Sequence, residues 1–282
     1  MIPATFNYFR PHSIEEALLL LRQGEVAKIL AGGQSLVPMM KLRLTEPKTL
    51  IDLQGVPELA YVTWAGGHCT VGTLATHAML AADADLRQKA AVLWDAANAL
   101  GDPQVRNLGT IGGACVHADP AADYPAAMLA LEACFIVAGE KTREVPAAEF
   151  FKGTFETAVG DGEILTKITF DAAPHSAYVK LEHPASHYAL VGVAAVLMMS
   201  RDAIEDARVA ITGLADAPFR ASAVERALRG VKANNVAAIK SACAGAAAGQ
   251  SARSDIEASA AYRAAMADVL TARAVLRATE PR

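Results

Sequence analysis

Cysteine is scarce in this chain of 282 residues, and its four cysteines lie far apart in sequence. They are Cys69, Cys115, Cys134 and Cys243, and none belongs to a C-x-x-C pair. An iron–sulfur centre needs clustered thiolates, so this spacing argues against such a centre in the chain. A disulfide framework is also disfavoured, because such frameworks are typical of small secreted domains. We therefore expect free thiols, most of them buried.

Long apolar runs and an excess of positive charge are missing as well. No stretch of about 18 uncharged apolar residues occurs, which argues against a membrane-spanning helix. The segment from Met1 to Phe6 has no basic region followed by an apolar one, so we predict no signal peptide and a cytoplasmic location. The formal net charge of −4 gives no support to nucleic-acid binding. Hydrophobic residues make up 53% of the chain, which supports a sizeable buried core.

The first fifty residues predict a helix, a short strand, a glycine turn, a second helix and a second strand. Ser13 and Glu16 fit a capping box at the start of the first helix, and Gly24 is placed to end it. A second block follows from about residue 56, in which Leu86 to Leu100 predicts a helix and Ile164 to Phe170 predicts a strand.

The composition changes after about residue 175, where we predict a domain boundary. Strands are expected at 178–181, 191–199 and 207–212, followed by three alanine-rich helices at 221–229, 235–248 and 255–278. In the last helix, apolar side chains recur at helical spacing and are expected to pack inward or at a subunit interface. They are Tyr262, Met266, Val269 and Leu276.

Two glycine turns, Ala31–Ser35 and Gly109–Gly113, carry most of the functional signal in the residues themselves. Glycines let a phosphate approach the backbone closely, and a turn that leads into a helix offers unpaired N–H groups to an anion. Two such turns facing each other would suit the pyrophosphate of a dinucleotide. Taken singly, each is more often only a structural turn. Neither matches G-x-G-x-x-G, a Walker sequence or a nucleophile elbow, so a Rossmann fold is disfavoured.

Two pairs of residues contain side chains that can bind a metal ion, but neither pair has the pattern of a metal site. His117 lies close to Asp119, and His183 lies four residues before His187 with Pro184 between them. No H-E-x-x-H sequence is formed, so we predict no metal site in this chain.

Taken together, the motifs resemble the FAD-binding medium subunit of molybdenum hydroxylases, of the aerobic carbon monoxide dehydrogenase and xanthine dehydrogenase type. The resemblance covers essentially the whole chain, with its motifs in the family's order. The motifs are Phe6–Pro11, Ala31–Lys41, Val105–Gly113, Asp119–Pro125, Lys180–Ser186 and Tyr188–Ala194.

The resemblance implies an α+β fold with two subdomains that hold FAD, related to the vanillyl-alcohol-oxidase (PCMH) type, and a C-terminal domain of sheet and helices. The FAD-binding domain would span 1–175, with subdomains of about 1–55 and 56–175. The C-terminal domain, of the carbon monoxide dehydrogenase flavoprotein type, would span 176–282.

The resemblance also implies cofactor-binding residues. Two segments would hold the pyrophosphate: Ala31, Gly32, Gly33, Gln34, Ser35 and Leu36 in the first, and Thr110, Ile111, Gly112, Gly113 and Ala114 in the second. Asp123 would accept hydrogen bonds from ribose or flavin-side hydroxyls, while Lys28, Leu165 and Lys180 would lie near the cofactor. Ala114 departs from many relatives, which have asparagine there. No catalytic acid–base residue and no metal ligand is implied.

The function implied is electron relay. A large partner subunit with molybdopterin cytosine dinucleotide would oxidise the substrate, and a small partner with 2Fe–2S clusters would pass electrons to this chain's FAD. The external acceptor would be a quinone, oxygen or a nicotinamide, and the assembly a dimer of heterotrimers. Two alternatives stay open: a free-standing FAD oxidoreductase of the same superfamily, and a non-enzymatic nucleotide-binding protein.

Overall fold

The first fifty residues form a small parallel sheet with helices between its strands. The structure is a computed structural model that describes residues 2–280, so positions 1, 281 and 282 of the predicted domains lie outside it. Strand order is β1–β3–β2, with Tyr8 opposite Leu50 and Lys28 opposite the same residue on the other side. The elements are β1 (Asn7–Phe9), α1 (Ile14–Gln23), β2 (Ala27–Leu30), α2 (Leu36–Lys41) and β3 (Thr49–Asp52). The sequence had not predicted β1.

Helix α1 begins and ends where its local sequence predicts. The Ser13 hydroxyl accepts the Glu16 N–H at 3.1 Å, and Gly24 closes the helix by donating its N–H to Leu20 O at 2.8 Å. The Glu16 carboxylate accepts from the N–H of His12 at 2.8 Å, one residue earlier than a standard capping box places it. The Ser13 side chain therefore satisfies one of the orphan N–H groups at this terminus, and the Glu16 side chain fixes the residue before the cap.

A second, antiparallel sheet follows after two 3-10 turns, Leu53–Gly55 and Pro57–Leu59. Its strand order is β4–β5–β10–β6–β7. The strands are β4 (Val62–Ala65), β5 (His68–Gly72), β6 (Cys134–Ala138), β7 (Arg143–Pro146) and β10 (Ile164–Asp171), and a small hairpin is formed by β8 (Phe151–Gly153) and β9 (Glu156–Thr157). The helices between them are α3 (His77–Ala82), α4 (Ala84–Lys89), α5 (Ala91–Ala99), α6 (Pro103–Leu108), α7 (Ile111–His117), α8 (Tyr124–Ala130) and α9 (Ala147–Phe150).

The helix predicted from Leu86 to Leu100 is wrong as a single element. Ala90 interrupts it with extended φ of −152°, so α4 and α5 are separate. The break is fixed by tertiary contacts: Ser176 Oγ accepts the N–H of Val92 at 3.1 Å, and Lys89 O accepts the N–H of Ala173 at 2.6 Å. The spacing of apolar residues within 86–100 gives no information about those distant partners, so it could not predict the break.

The C-terminal part is an antiparallel sheet, order β11–β12–β13–β14, covered by helices. Its elements are β11 (Ser176–Glu182), β12 (Ala189–Ser200), β13 (Ala203–Thr212), β14 (Phe219–Arg220), α10 (Ser222–Leu228), α11 (Val236–Ala242) and α12 (Ala260–Thr279). The predicted helix 235–248 ends early, at Ala242, and Gly245 within the predicted range has a positive φ of 75°, which an α-helix does not allow. Helix α12 starts later than predicted because Asp255 Oδ1 accepts the N–H groups of Glu257 and Ala258 in a turn.

The inward face of α12 matches only half of the predicted stripe, since Met266 and Leu276 pack against the C-terminal core and the other two residues do not. Tyr262 is 48% exposed and Val269 is 42% exposed. The buried face is instead formed by Ala267, Leu270, Ala274, Val275 and Ala278. Small alanines let the helix lie close to the sheet, and a hydrophobicity pattern gives them too little weight to predict this face.

Candidate functional site

Both glycine segments meet at one cavity of about 470 Å³, within the range of small-molecule sites. Lys28 and Leu165 also line it. From the first segment it is lined by Ala31, Gly32, Gly33, Gln34, Ser35 and Leu36, and from the second by Thr110, Gly112, Gly113 and Ala114. The first segment follows the parallel sheet and the second leads into α7, so the cavity lies between the two sheets.

Glycine is required where the segments approach. A Cβ on Gly32 would lie 2.1 Å from the carbonyl oxygen of Leu108, and one on Gly112 would lie 1.6 Å from Thr73 Oγ1. A Cβ on Gly113 would lie 3.5 Å from Ala31 Cβ, across the gap between segments. Gly33 has φ of +71°, which favours glycine for backbone reasons alone. These positions fix the separation of the cavity walls.

The first segment presents free backbone donors. Within residues 2–280, the N–H groups of Gly32, Gly33, Gln34, Ser35 and Leu36 donate to no protein acceptor. Buried or half-buried amides without partners are rare, and a row of them favours an anionic ligand such as a diphosphate. The residues present therefore fit the pyrophosphate of a dinucleotide.

The second segment does not repeat this arrangement, which corrects the expectation of two opposed amide nests. The N–H groups of Ile111 and Gly112 donate to Ala75 O (3.0 Å) and Thr73 O (2.9 Å). Those of Gly113 and Ala114 donate to Thr110 Oγ1 (3.1 Å) and Thr110 O (3.0 Å). Its glycines are needed for close packing of α7 against Thr73 rather than for free amides. Ile111 itself is fully buried and points away from the cavity lining.

Asp123 and Lys180 lie outside the cavity lining, in a buried ion pair. Lys180 Nζ is 3.2 Å from Asp123 Oδ2, and the Tyr178 hydroxyl donates to Asp123 Oδ1 at 2.5 Å. Lys180 also donates to the carbonyl of His187 at 2.6 Å. Burial raises the pKa of Asp123 to about 6, although Lys180 and the Tyr178 hydrogen bond act in the opposite direction. The pair joins the start of α8 to the C-terminal sheet.

His77 lines the cavity and was missed by the sequence analysis. Its Nδ1 is 2.9 Å from the Tyr124 hydroxyl, and its Nε2 side packs against Gly109, where a Cβ would lie 2.6 Å away. Burial, with a smaller contribution from Arg106, lowers the pKa of His77 to about 4, so the ring is neutral near pH 7. A single histidine at the start of a helix gives no sequence pattern from which its place in the cavity wall could be predicted.

The C-terminal domain reaches the first segment through Tyr188. Burial and the charge of Asp119 raise the pKa of Tyr188, and the neighbouring Ser35 side chain acts in the opposite direction, so Tyr188 lies next to Ser35. Glu163, which also lines the cavity, is held by Arg143 at 2.8 Å and by the N–H of Gly160 at 2.7 Å. These two contacts lower the pKa of Glu163 and keep it ionised.

Among positions 2–280, no group of three or more His, Cys, Asp or Glu side chains could hold a metal ion. No helix in that range is both long and apolar enough to cross a bilayer.

The fold and the cavity together define a protein of two domains whose site fits a dinucleotide. Residues 4–171 match the FAD binding domain in molybdopterin dehydrogenase, and residues 176–278 match the CO dehydrogenase flavoprotein C-terminal domain. The chain therefore belongs to the family of FAD-binding medium subunits of molybdenum hydroxylases. This confirms the predicted resemblance, the fold class and FAD as cofactor. The molybdopterin and iron–sulfur groups of such complexes belong to other subunits.

Individual relatives agree with this assignment. The carbon monoxide dehydrogenase medium chain of Hydrogenophaga pseudoflava is 37% identical over 98% of this chain and 97% of its own length. The glyceraldehyde dehydrogenase medium chain of Sulfolobus acidocaldarius is 38% identical over 83% of this chain and 85% of its own. A solved structure of the Hydrogenophaga pseudoflava carbon monoxide dehydrogenase that lacks the Mo-pyranopterin moiety matches with a TM-score of 0.93 at 38% identity. It covers 99% of this chain and 98% of that one.

Proposed function

We propose that this chain relays electrons from iron–sulfur clusters on a partner subunit to an external acceptor. The observation that carries the proposal is the cavity between the two sheets, with five free amides on one wall and glycine packing on the other. When bound there, FAD supplies both one-electron and two-electron redox chemistry. The protein supplies position, exclusion of water and charge.

The pyrophosphate is assigned to the first segment. The N–H groups of residues 32–36 would donate to its oxygens, and the Ser35 hydroxyl, next to Tyr188, would add a further donor. Lys28, at the cavity wall, supplies the positive charge that a diphosphate favours. The second segment would shape the opposite wall through Gly112 and Gly113. Ala114 contributes no side-chain amide, so binding there relies on shape.

Asp123, Lys180 and Leu165 are proposed in different roles. Leu165 lines the cavity and would contact a ring of the cofactor. Asp123 and Lys180 would act on the ribityl or flavin side, which requires their side chains to exchange part of their mutual ion pair for the cofactor. A neutral His77 beside this region can accept or donate one hydrogen bond without adding charge.

The assembly proposed is a dimer of heterotrimers in the cytoplasm. A large subunit with molybdopterin cytosine dinucleotide and a small subunit with 2Fe–2S clusters would accompany this chain, and the acceptor would be a quinone, oxygen or a nicotinamide. The two relatives described above are each called the medium chain of a dehydrogenase, a name that implies further chains in the same enzyme, and this supports the proposal.

The test is native co-purification with metal and flavin analysis. We expect the tagged chain to bring down two further subunits, molybdenum and iron, and to show flavin absorbance. Reduction of FAD in the complex by its substrate, but not in the isolated chain, would separate electron relay from a free-standing oxidoreductase. A native chain that carries no flavin, or that reduces flavin with a substrate alone, would contradict the proposal.

A further inference from the structure

Phe155 occupies a backbone position that ordinarily belongs to glycine or asparagine. It is the second of two turn residues between β8 and β9, and its φ is +57°. Bulky side chains rarely adopt this conformation, because Cβ crowds the neighbouring carbonyl. Selection for the hairpin alone would favour glycine here. The turn itself therefore does not explain why this position has a phenylalanine.

Burial does not supply that reason. Phe155 is 56% exposed, and it lines the same cavity as the two glycine segments. Observed strain at the wall of a binding site points to a role in binding.

A second aromatic ring lies beside it. The ring centroids of His117 and Phe155 are 5.0 Å apart with 42° between the planes, and His117 lines the same cavity. The N–H of Phe155 donates to the carbonyl of Ala118 at 3.0 Å, and Ala118 also has positive φ, +49°. Helix α7 and the β8–β9 hairpin thus hold the two rings together. Burial lowers the pKa of His117, which favours an uncharged ring, although Asp119 opposes the shift.

We propose that Phe155 and His117 form a stacking platform for a planar conjugated ring at the entrance of the cavity. An exposed phenyl ring held rigidly beside a second ring offers a large apolar face that loses little side-chain entropy on binding. The inference rests on the proposed function, since it assumes that the cavity holds a dinucleotide. The ring could come from that dinucleotide or from an aromatic electron acceptor that meets it there. Both are flat and conjugated, so one platform would serve either.

The experiment uses the full chain and two measurements. FAD affinity is measured by quenching of flavin fluorescence, and reoxidation of dithionite-reduced flavin is followed with benzoquinone and with hexacyanoferrate(III). If the platform stacks on the dinucleotide, Phe155→Leu weakens FAD binding by about tenfold. If it stacks on the acceptor, FAD affinity is kept and reoxidation by benzoquinone slows by about tenfold, while the non-aromatic hexacyanoferrate(III) reacts at the wild-type rate.

Matched variants separate binding from folding. Phe155→Tyr keeps the ring and should behave as wild type, whereas Tyr262→Leu removes an exposed aromatic on α12 and should change nothing. Phe155→Gly relieves the backbone strain, so its Tm should equal or exceed that of wild type although it has lost the ring. If Phe155→Leu and Phe155→Gly match wild type in FAD affinity and in benzoquinone reoxidation, the platform is overturned. A wild-type chain that binds no FAD would overturn the proposed function as well.

Discussion

Gly32 is the residue at which the two cofactor-binding segments touch. A Cβ there would lie 2.1 Å from Leu108 O and 2.6 Å from Gly109 Cα, and both are backbone atoms that no side-chain rotation can move. Gly32→Ala should therefore push the walls apart, destabilise the protein by about 1–3 kcal/mol as overpacking does, and weaken FAD binding by roughly tenfold or more. Urea unfolding and fluorescence titration measure the two effects. Gly153→Ala is the control, because its Cβ would meet nothing nearer than 3.6 Å.

His77 gives a pH dependence whose sign follows from its burial. Its pKa falls from 6.5 to about 4 in the folded protein, so the folded state binds the proton more weakly than the unfolded state. The stabilisation is present above pH 6.5 and is lost as pH falls toward about 4. The difference between those values corresponds to about 3 kcal/mol at most.

His77→Gln removes this titration and isolates it. The free energy of unfolding of wild type minus that of His77→Gln should shrink by up to about 3 kcal/mol between about pH 7 and pH 4. Asp123, with a pKa raised to about 6, contributes with the opposite sign in an overlapping range, but it is present in both proteins and cancels in the difference. A difference that stays constant with pH would show that His77 does not titrate as its burial implies.

At the scale of elements, the break between α4 and α5 depends on Ser176. Its hydroxyl accepts the buried N–H of Val92 and donates to Ala173 O at 2.6 Å, which connects the first residue of the C-terminal domain to α5 and to the last residues of the FAD-binding domain. Ser176→Ala should cost about 1–3 kcal/mol, since a buried donor is left without a partner. Ser200→Ala, on an exposed strand end, should stay within about 0.5 kcal/mol of wild type. Equal losses in urea unfolding would contradict this account.

Sequence patterns predicted the elements whose signals are local. Ser13 and Gly24 delimit α1. The two glycine segments can be recognised in the sequence because their role depends on residues without a side chain. What depends on distant partners was missed: the break at Ala90 needs Ser176, and the cavity position of His77 needs Tyr124. The amides of the second segment likewise looked free, since Thr73 and Ala75 are not adjacent to it in sequence. Helices, strands and turns were therefore easier to predict than the distant residues that contact them.

At the scale of the whole molecule, buried hydrogen bonds join the C-terminal domain to one short segment of the FAD-binding domain. Thr212 Oγ1 lies 3.0 Å from Pro120 O and 2.8 Å from Ala122 O. The N–H of Gly213 donates to Pro120 O at 2.8 Å, and that of Ala189 donates to Ala121 O at 3.2 Å. The largest apolar core also contains residues from both domains. The two domains should consequently unfold as one cooperative unit.

Calorimetry with and without FAD tests that unit. At about 100 times its Kd, FAD should stabilise the folded chain by about 2.7 kcal/mol and raise Tm by roughly 5–10 °C, in a single transition that includes the C-terminal domain. Thr212→Val removes one of the buried hydrogen bonds between the domains, so in FAD the single transition should move to a lower temperature. Thr271→Val is the matched control, because the buried Thr271 hydroxyl has no hydrogen-bond partner within residues 2–280. Its loss should therefore leave the single transition intact. Two transitions in the wild-type protein, with only one shifted by FAD, would mean that the shared core does not couple the domains.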